Sequence, residues 1–153
     1  MQPPQPLSRD YPDRPIVGVG VVVFRGEEVL LVRRGRPPRQ HQWSLPGGAQ
    51  HLGETVAQAA AREVREEAGI EVDLIGLVDV VDSIVRDPDG RIQYHYTLVD
   101  LAARWRAGEA VPGDDAADVT WVPLSDLGEH DLWEKTSWVI RLALAKRDRP
   151  TDS

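Results

Sequence analysis

Nine consecutive residues from Ile16 to Phe24 are apolar or glycine, and five of them are valine. A run this short, unbroken and β-branched reads as a buried strand. Arg25-Gly26-Glu27-Glu28 has turn chemistry and returns the chain into a second strand, Val29 to Arg33. The period then changes. Thr55 with Gln58 three residues on is a capping box, and Gly69 stands where a left-handed cap ends a helix, so the spacing predicts one helix over Thr55–Ala68. At about 100° per residue its apolar arc is Val56, Ala57, Ala60, Ala61, Val64 and Ala68. Val72–Arg86 and Arg91–Leu101 are β-like and joined by Asp87-Pro88-Asp89-Gly90, which predicts a hairpin. Within it Tyr94 and Tyr96 share a face opposite His95. Val119–Val122 is a short strand ended by Pro123, and Leu124–Leu127 reads as one helical turn. A second helix runs over about Leu132–Ala145, with Trp138, Leu142 and Ala145 on one face as core or as a dimer contact. Strands interspersed with two long helices predict an α/β sandwich.

Composition narrows the function classes. At 153 residues and 17.0 kDa the chain holds one domain, expected over residues 15–147, with a Pro-rich flexible arm at 1–14 and a flexible tail at 148–153. The sequence has no cysteine, which fits a reducing cytosol and a cytoplasmic location. Its longest apolar run, Ile16–Phe24, is about half a membrane span, and the start Met1-Gln2-Pro3-Pro4 has no signal-peptide character, so no membrane association is expected. A net charge of −7 argues against a nucleic-acid partner, although not against a small anionic ligand brought in by metal.

The acids of the central helix carry the chemistry. Glu63, Glu66 and Glu67 fall on a second arc bordering the apolar one. Like charges at i,i+3 and i,i+4 each cost roughly 0.2–0.5 kcal/mol in an exposed helix, and more beside a core. Arg62, one turn before Glu66, can neutralise one acid, which leaves a net negative cluster unless a cation binds. Three carboxylates suit a hard divalent ion such as Mg²⁺, which completes its shell with water and substrate phosphate oxygens. Upstream, Arg33, Arg34, Gly35, Arg36 and Arg39 form a basic loop, either simply solvated or offering an arginine, Arg33 or Arg34 first, as a phosphate clamp. Gly47-Gly48 lets a backbone or substrate approach closely, and His95 is read either as a hydrogen-bonded sheet residue or as a substrate contact. His41, His51 and His130 lack zinc spacing.

Gly48, Glu54, Arg62-Glu63-Val64-Arg65-Glu66-Glu67-Ala68-Gly69-Ile70 resembles the Nudix box without a departure. The resemblance implies an α/β/α sandwich on a mixed central β-sheet, and one to three Mg²⁺ or Mn²⁺ ions held by Glu63, Glu66 and Glu67 with the Gly48 carbonyl. By the same likeness Arg62 orients the carboxylates and Glu54 supports them. The implied reaction is attack of water on the phosphoanhydride of a nucleoside diphosphate linked to X, with Glu66 or a loop acid, Asp114 or Asp115, taking the proton. Tyr94–Asp100, Ala107-Gly108-Glu109 and Gly113–Ala117 are similar to small bacterial proteins grouped with ADP-ribose pyrophosphatases. That likeness implies ADP-ribose or a related nucleotide sugar as the small-molecule substrate. The alternatives are a MutT-like nucleoside triphosphate pyrophosphohydrolase and a Nudix module that senses a nucleotide without cutting it. Relatives of this type often pair, which allows for a homodimer.

Overall fold

The structure, a computed structural model, describes residues 8–113 and 115–149. The valine-rich run forms strand β1, Ile16–Arg25, and the turn after it leads into β2, Glu28–Arg34. Two short strands follow, β3 at Trp43–Ser44 and β4 at Gly47–Ala49, then helix α1 at Val56–Ala68. The long hairpin is β5, Glu71–Arg86, and β6, Ile92–Ala107; β7, Ala116–Pro123, passes through a 3-10 helix at Leu124–His130 into α2, Glu134–Asp148.

These strands make one seven-stranded mixed sheet in the order β3-β2-β1-β6-β5, with β4 also on β1 and β7 also on β2. Among the described residues the one parallel pairing is β1 with β6, in register from Ile16–Tyr96 to Phe24–Arg104. Being covered on both faces, β1 is apolar at nearly every position. Val19, Val21 and Val23 pack beneath α1, while Val22 and Phe24 face Val139, Ile140 and Ala143 of α2. The molecule is therefore the helix–sheet–helix sandwich that the element order predicts.

On its other flank β1 is shared. β4 pairs with Gly18, Val19 and Gly20, and β2 joins only at Phe24 and Arg25. Between the two contacts β2 leaves β1 to pair with β7 and β3. The sheet is split there, and the split positions the site.

Several expectations need correction. The buried stripe of α1 is Ala59, Ala60, Glu63, Val64 and Ala68, whereas Ala57 is exposed. The helix is rolled so that the Glu63 edge faces the split instead of solvent. The Trp138, Leu142 and Ala145 row of α2 is not the core face: Trp138 is 51% exposed, and Thr136, Val139, Ile140 and Ala143 are buried in its place. Val139, Ile140 and Ala143 form the face that packs on Val22 and Phe24 of the sheet. β6 continues to Ala107 because Ala102 and Ala103 pair with both neighbours. Part of the N-terminal arm is docked. Tyr11 donates its backbone N–H to Gln93 O at 2.8 Å and its hydroxyl to Asp87 at 2.7 Å, and Arg91 stacks on its ring. The remainder of the arm, residues 1–7, and residues 150–153 of the tail lie outside the described residues.

Candidate active site

The site begins with the cap of α1. Thr55 Oγ1 accepts from Gln58 N and Gln58 Oε1 accepts from Thr55 N, so the first turn is closed from both sides. The last turn is closed by Gly69, left-handed at φ 70°, and by the loop after β6, where Val111 N donates to Ala68 O and Gly113 N to Glu67 O. A helix fixed at both ends holds its acids in register.

Arg62 organises the near end. Its Nε and Nη2 grip both oxygens of Glu54 at 2.6 and 2.9 Å, Nη1 reaches Glu63 at 2.7 Å and Glu66 at 3.1 Å, and Nη2 also donates to Ala49 O at 3.0 Å. One planar fork therefore ties the pre-helix loop, α1 and β4 together, which a flexible ammonium could not do. Glu54 accepts from His51 N as well. The guanidinium first, and then that amide, pull its carboxyl down to about 2, while the same contacts hold Arg62 above its ordinary value.

Glu63 and Glu67 are successive turns of the inward edge. Glu63 is 9% exposed, and a Cβ on Gly48 would stand 2.6 Å from its carboxylate, so the bare backbone of β4 is what gives that side chain room. Glu67 takes the Gly47 N–H at 3.1 Å. Burial pushes its carboxyl up to about 8, with Glu63 adding to the shift and the Gly47 amide and Arg34 opposing it. Glu66, with 56% of its side chain exposed, is the acid most open to water. Among the described residues no three acids or histidines converge on one point: Nη1 of Arg62 holds Glu63 and Glu66, while Glu67 is turned to the Gly47 amide. Donor chemistry nonetheless fits a hard divalent cation. Every ligating atom on this edge is oxygen, and a buried carboxyl raised to about 8 is one whose anion lacks adequate compensation.

These acids line one end of a cavity of about 640 Å³ that passes through the split in the sheet to its α2 side. Arg33 and Arg34 lie on its rim, their Nε atoms donating to His41 O at 3.2 Å and Pro38 O at 2.7 Å, so the basic loop is braced by its own backbone. Gly47 and Gly48 form part of the wall. Asp115 also reaches the cavity and pairs with Arg36 at 2.9 Å, whereas Asp114 lies outside the described residues. His95 stands on the face of β6 opposite Tyr96, and of the two only Tyr96 lines the cavity. Arg39 was legible only as part of the basic loop, and Arg9 and Asp100, which also line the cavity, were not singled out. Arg9 is carried there by the docked arm, Arg39 stacks on Trp133 at 3.8 Å and reaches Ser83 at 3.3 Å, and Asp100 lies buried in β6. Of Arg9 and Asp100, only Asp100 left a signal, as a lone charge within the apolar run Leu98–Ala103.

Residues 14–142 match the NUDIX domain. The chain is 33% identical over 113 residues to the "ADP-ribose pyrophosphatase" of Methanocaldococcus jannaschii, an overlap covering 74% of this chain and 64% of that protein's length. It is 40% identical over 114 residues to the "Putative 8-oxo-dGTP diphosphatase 2" of Mycobacterium tuberculosis, covering 71% of this chain and 80% of the relative. Among solved structures, a MutT NUDIX hydrolase from Burkholderia pseudomallei superposes with a TM-score of 0.73 at 29% identity, over 85% of this chain and 98% of that one.

Proposed function

The chain belongs to the NUDIX family, and from that premise we propose that it hydrolyses the phosphoanhydride bond of a nucleoside diphosphate linked to X, with ADP-ribose or a related nucleotide sugar as substrate. The observation that carries this reading is the pairing of Glu63 and Glu67 against the bare Gly47-Gly48 backbone, in the same cavity as Arg33 and Arg34. Anionic and cationic walls face one space, as a phosphate chain neutralised on both sides requires.

Glu63, Glu66 and Glu67, with the Gly48 carbonyl, would hold Mg²⁺ or Mn²⁺. Bound there, a divalent ion supplies polarisation of phosphoryl oxygens and a lowered pKa for water. Arg33 and Arg34 bind and orient the diphosphate through their remaining donors. Arg62, gripped by Glu54, keeps Glu63 and Glu66 aimed at the cavity. Glu66 takes the proton of the attacking water on Oε1, the oxygen Arg62 does not hold; its exposure favours it over the buried Glu63 and Glu67. Asp115, engaged with Arg36, is the second choice for that role.

The 40% identity to a protein named a diphosphatase of 8-oxo-dGTP favours a second reading, pyrophosphohydrolysis of a nucleoside triphosphate. Products separate the two. With Mg²⁺ or Mn²⁺, ADP-ribose should yield AMP and ribose 5-phosphate, whereas the second reading requires a nucleoside monophosphate and pyrophosphate from triphosphates. Turnover of neither class by the purified protein would reject both and leave a module that binds without cutting.

A further inference from the structure

Asp100 differs from the other acids of the cavity. It lies in the middle of β6 on the α2 side of the sheet, 5% exposed, away from the α1 edge that carries Glu63 and Glu67. Among the described residues its carboxylate has neither a hydrogen-bond donor nor a cation. No side-chain oxygen or nitrogen among those residues is both fully enclosed and unpaired. The Asp100 oxygens therefore meet open space, and that space is the cavity they line. Burial, with Asp79 opposite it on β5 adding repulsion, pushes the carboxyl up to about 7. Keeping an unpaired carboxylate at such a depth is costly unless a ligand supplies the missing donor.

The surroundings specify the shape of that ligand. A Cβ on Gly20 would collide with Asp100 Oδ1, and one on Gly18 would stand 3.0 Å from Leu98 Cδ2. These two glycines, two residues apart on one face of β1, are what let the Asp100 and Leu98 side chains lie over that strand. Leu45, Val81, Leu98 and Val139 supply apolar walls. Apolar walls with a buried, unpaired acceptor among them complement a heterocycle that carries an N–H on its rim, and suit a sugar bearing hydroxyls all round less well.

We propose that this chamber receives the base of the substrate and that Asp100 is its specificity-determining residue, accepting a hydrogen bond from the exocyclic amino group of an adenine packed against the Leu45, Val81, Leu98 and Val139 side chains. The assignment rests on the nucleotide reading above, but its test needs no hydrolysis. AMP and purine riboside 5′-monophosphate differ by that amino group alone, and calorimetry on the full chain compares their affinities. The wild type should favour AMP by about tenfold or more, as expected for a hydrogen bond to a charged acceptor. Asp100→Leu should bind both alike, and Asp100→Asn, which keeps an acceptor oxygen, should retain most of the preference. Asp100→Ala, which has no acceptor in its side chain, reads the same loss should the leucine variant not fold. Equal binding of the two ligands by the wild type, binding of neither, or a preference that survives in Asp100→Leu or Asp100→Ala would overturn the assignment. A preference found and abolished as expected, in a protein that hydrolyses no diphosphate, would uphold the chamber while rejecting the proposed reaction.

Discussion

Glu54 shows how a residue outside the acid cluster governs it. Its two oxygens occupy Nε and Nη2 of Arg62, and without them the guanidinium would be free to rotate away from Glu63 and Glu66. Because the folded protein holds the Glu54 carboxyl at about 2 against an ordinary 4.5, the folded state binds fewer protons than the unfolded chain between those values. The stabilisation is thus fully present above about pH 4.5 and is lost as pH falls towards 2. Glu54→Gln should melt at a lower temperature than the wild type at neutral pH, with the gap narrowing through that acid window. A gap that stays constant with pH would mean the contact acts through shape rather than charge. Arg62, Glu63, Glu66 and Glu67 were legible from spacing, since i,i+1 to i,i+4 relations on one helix need no tertiary knowledge, whereas Glu54, outside the helix, was reached only through the family resemblance. The places of Arg39 and Arg9 were not legible, because they depend on a loop conformation and on a docked arm that no local pattern encodes.

Helix α1 converts one capping motif into the geometry of the whole acid edge. Thr55→Ala removes the Oγ1 acceptor from Gln58 N and undoes the reciprocal box. Loss of such a cap costs roughly 1 kcal/mol, or a fall of roughly 2–4 °C in melting temperature for a domain of this size. Thermal denaturation checks it, and an unchanged midpoint would show that the loop contacts at Ala49 and His51 hold the helix start without the cap. The helix, the first two strands and the hairpin were readable because period, cap and turn chemistry agree within each. What was misjudged is the roll of α1 and α2 about their axes. Ala57 and Ala59 are equally apolar, and Trp138 is more apolar than Thr136, so which of them meets the sheet is decided by the partner surface.

In the molecule as a whole, the split in the sheet joins two environments that its layers would otherwise separate: the acid edge of α1 on one side and the apolar chamber beneath α2 on the other. The order of strands could not be read from sequence, since the parallel pairing of β1 with β6 joins segments some eighty residues apart. The family resemblance supplied the sandwich; the split and its lining needed coordinates. The proposed hydrolysis depends on the α1 edge taking up a divalent cation. Calorimetric titration of Mn²⁺ into the wild type and into Glu63→Gln/Glu67→Gln, each with and without AMP, tests that most directly. Saturable uptake by the wild type that is weakened at least about tenfold in the double variant is the predicted result, accompanied by a higher melting temperature of the metal-free variant as buried carboxylate charge is removed. No uptake by the wild type under either condition, or equal uptake by both proteins, would contradict it.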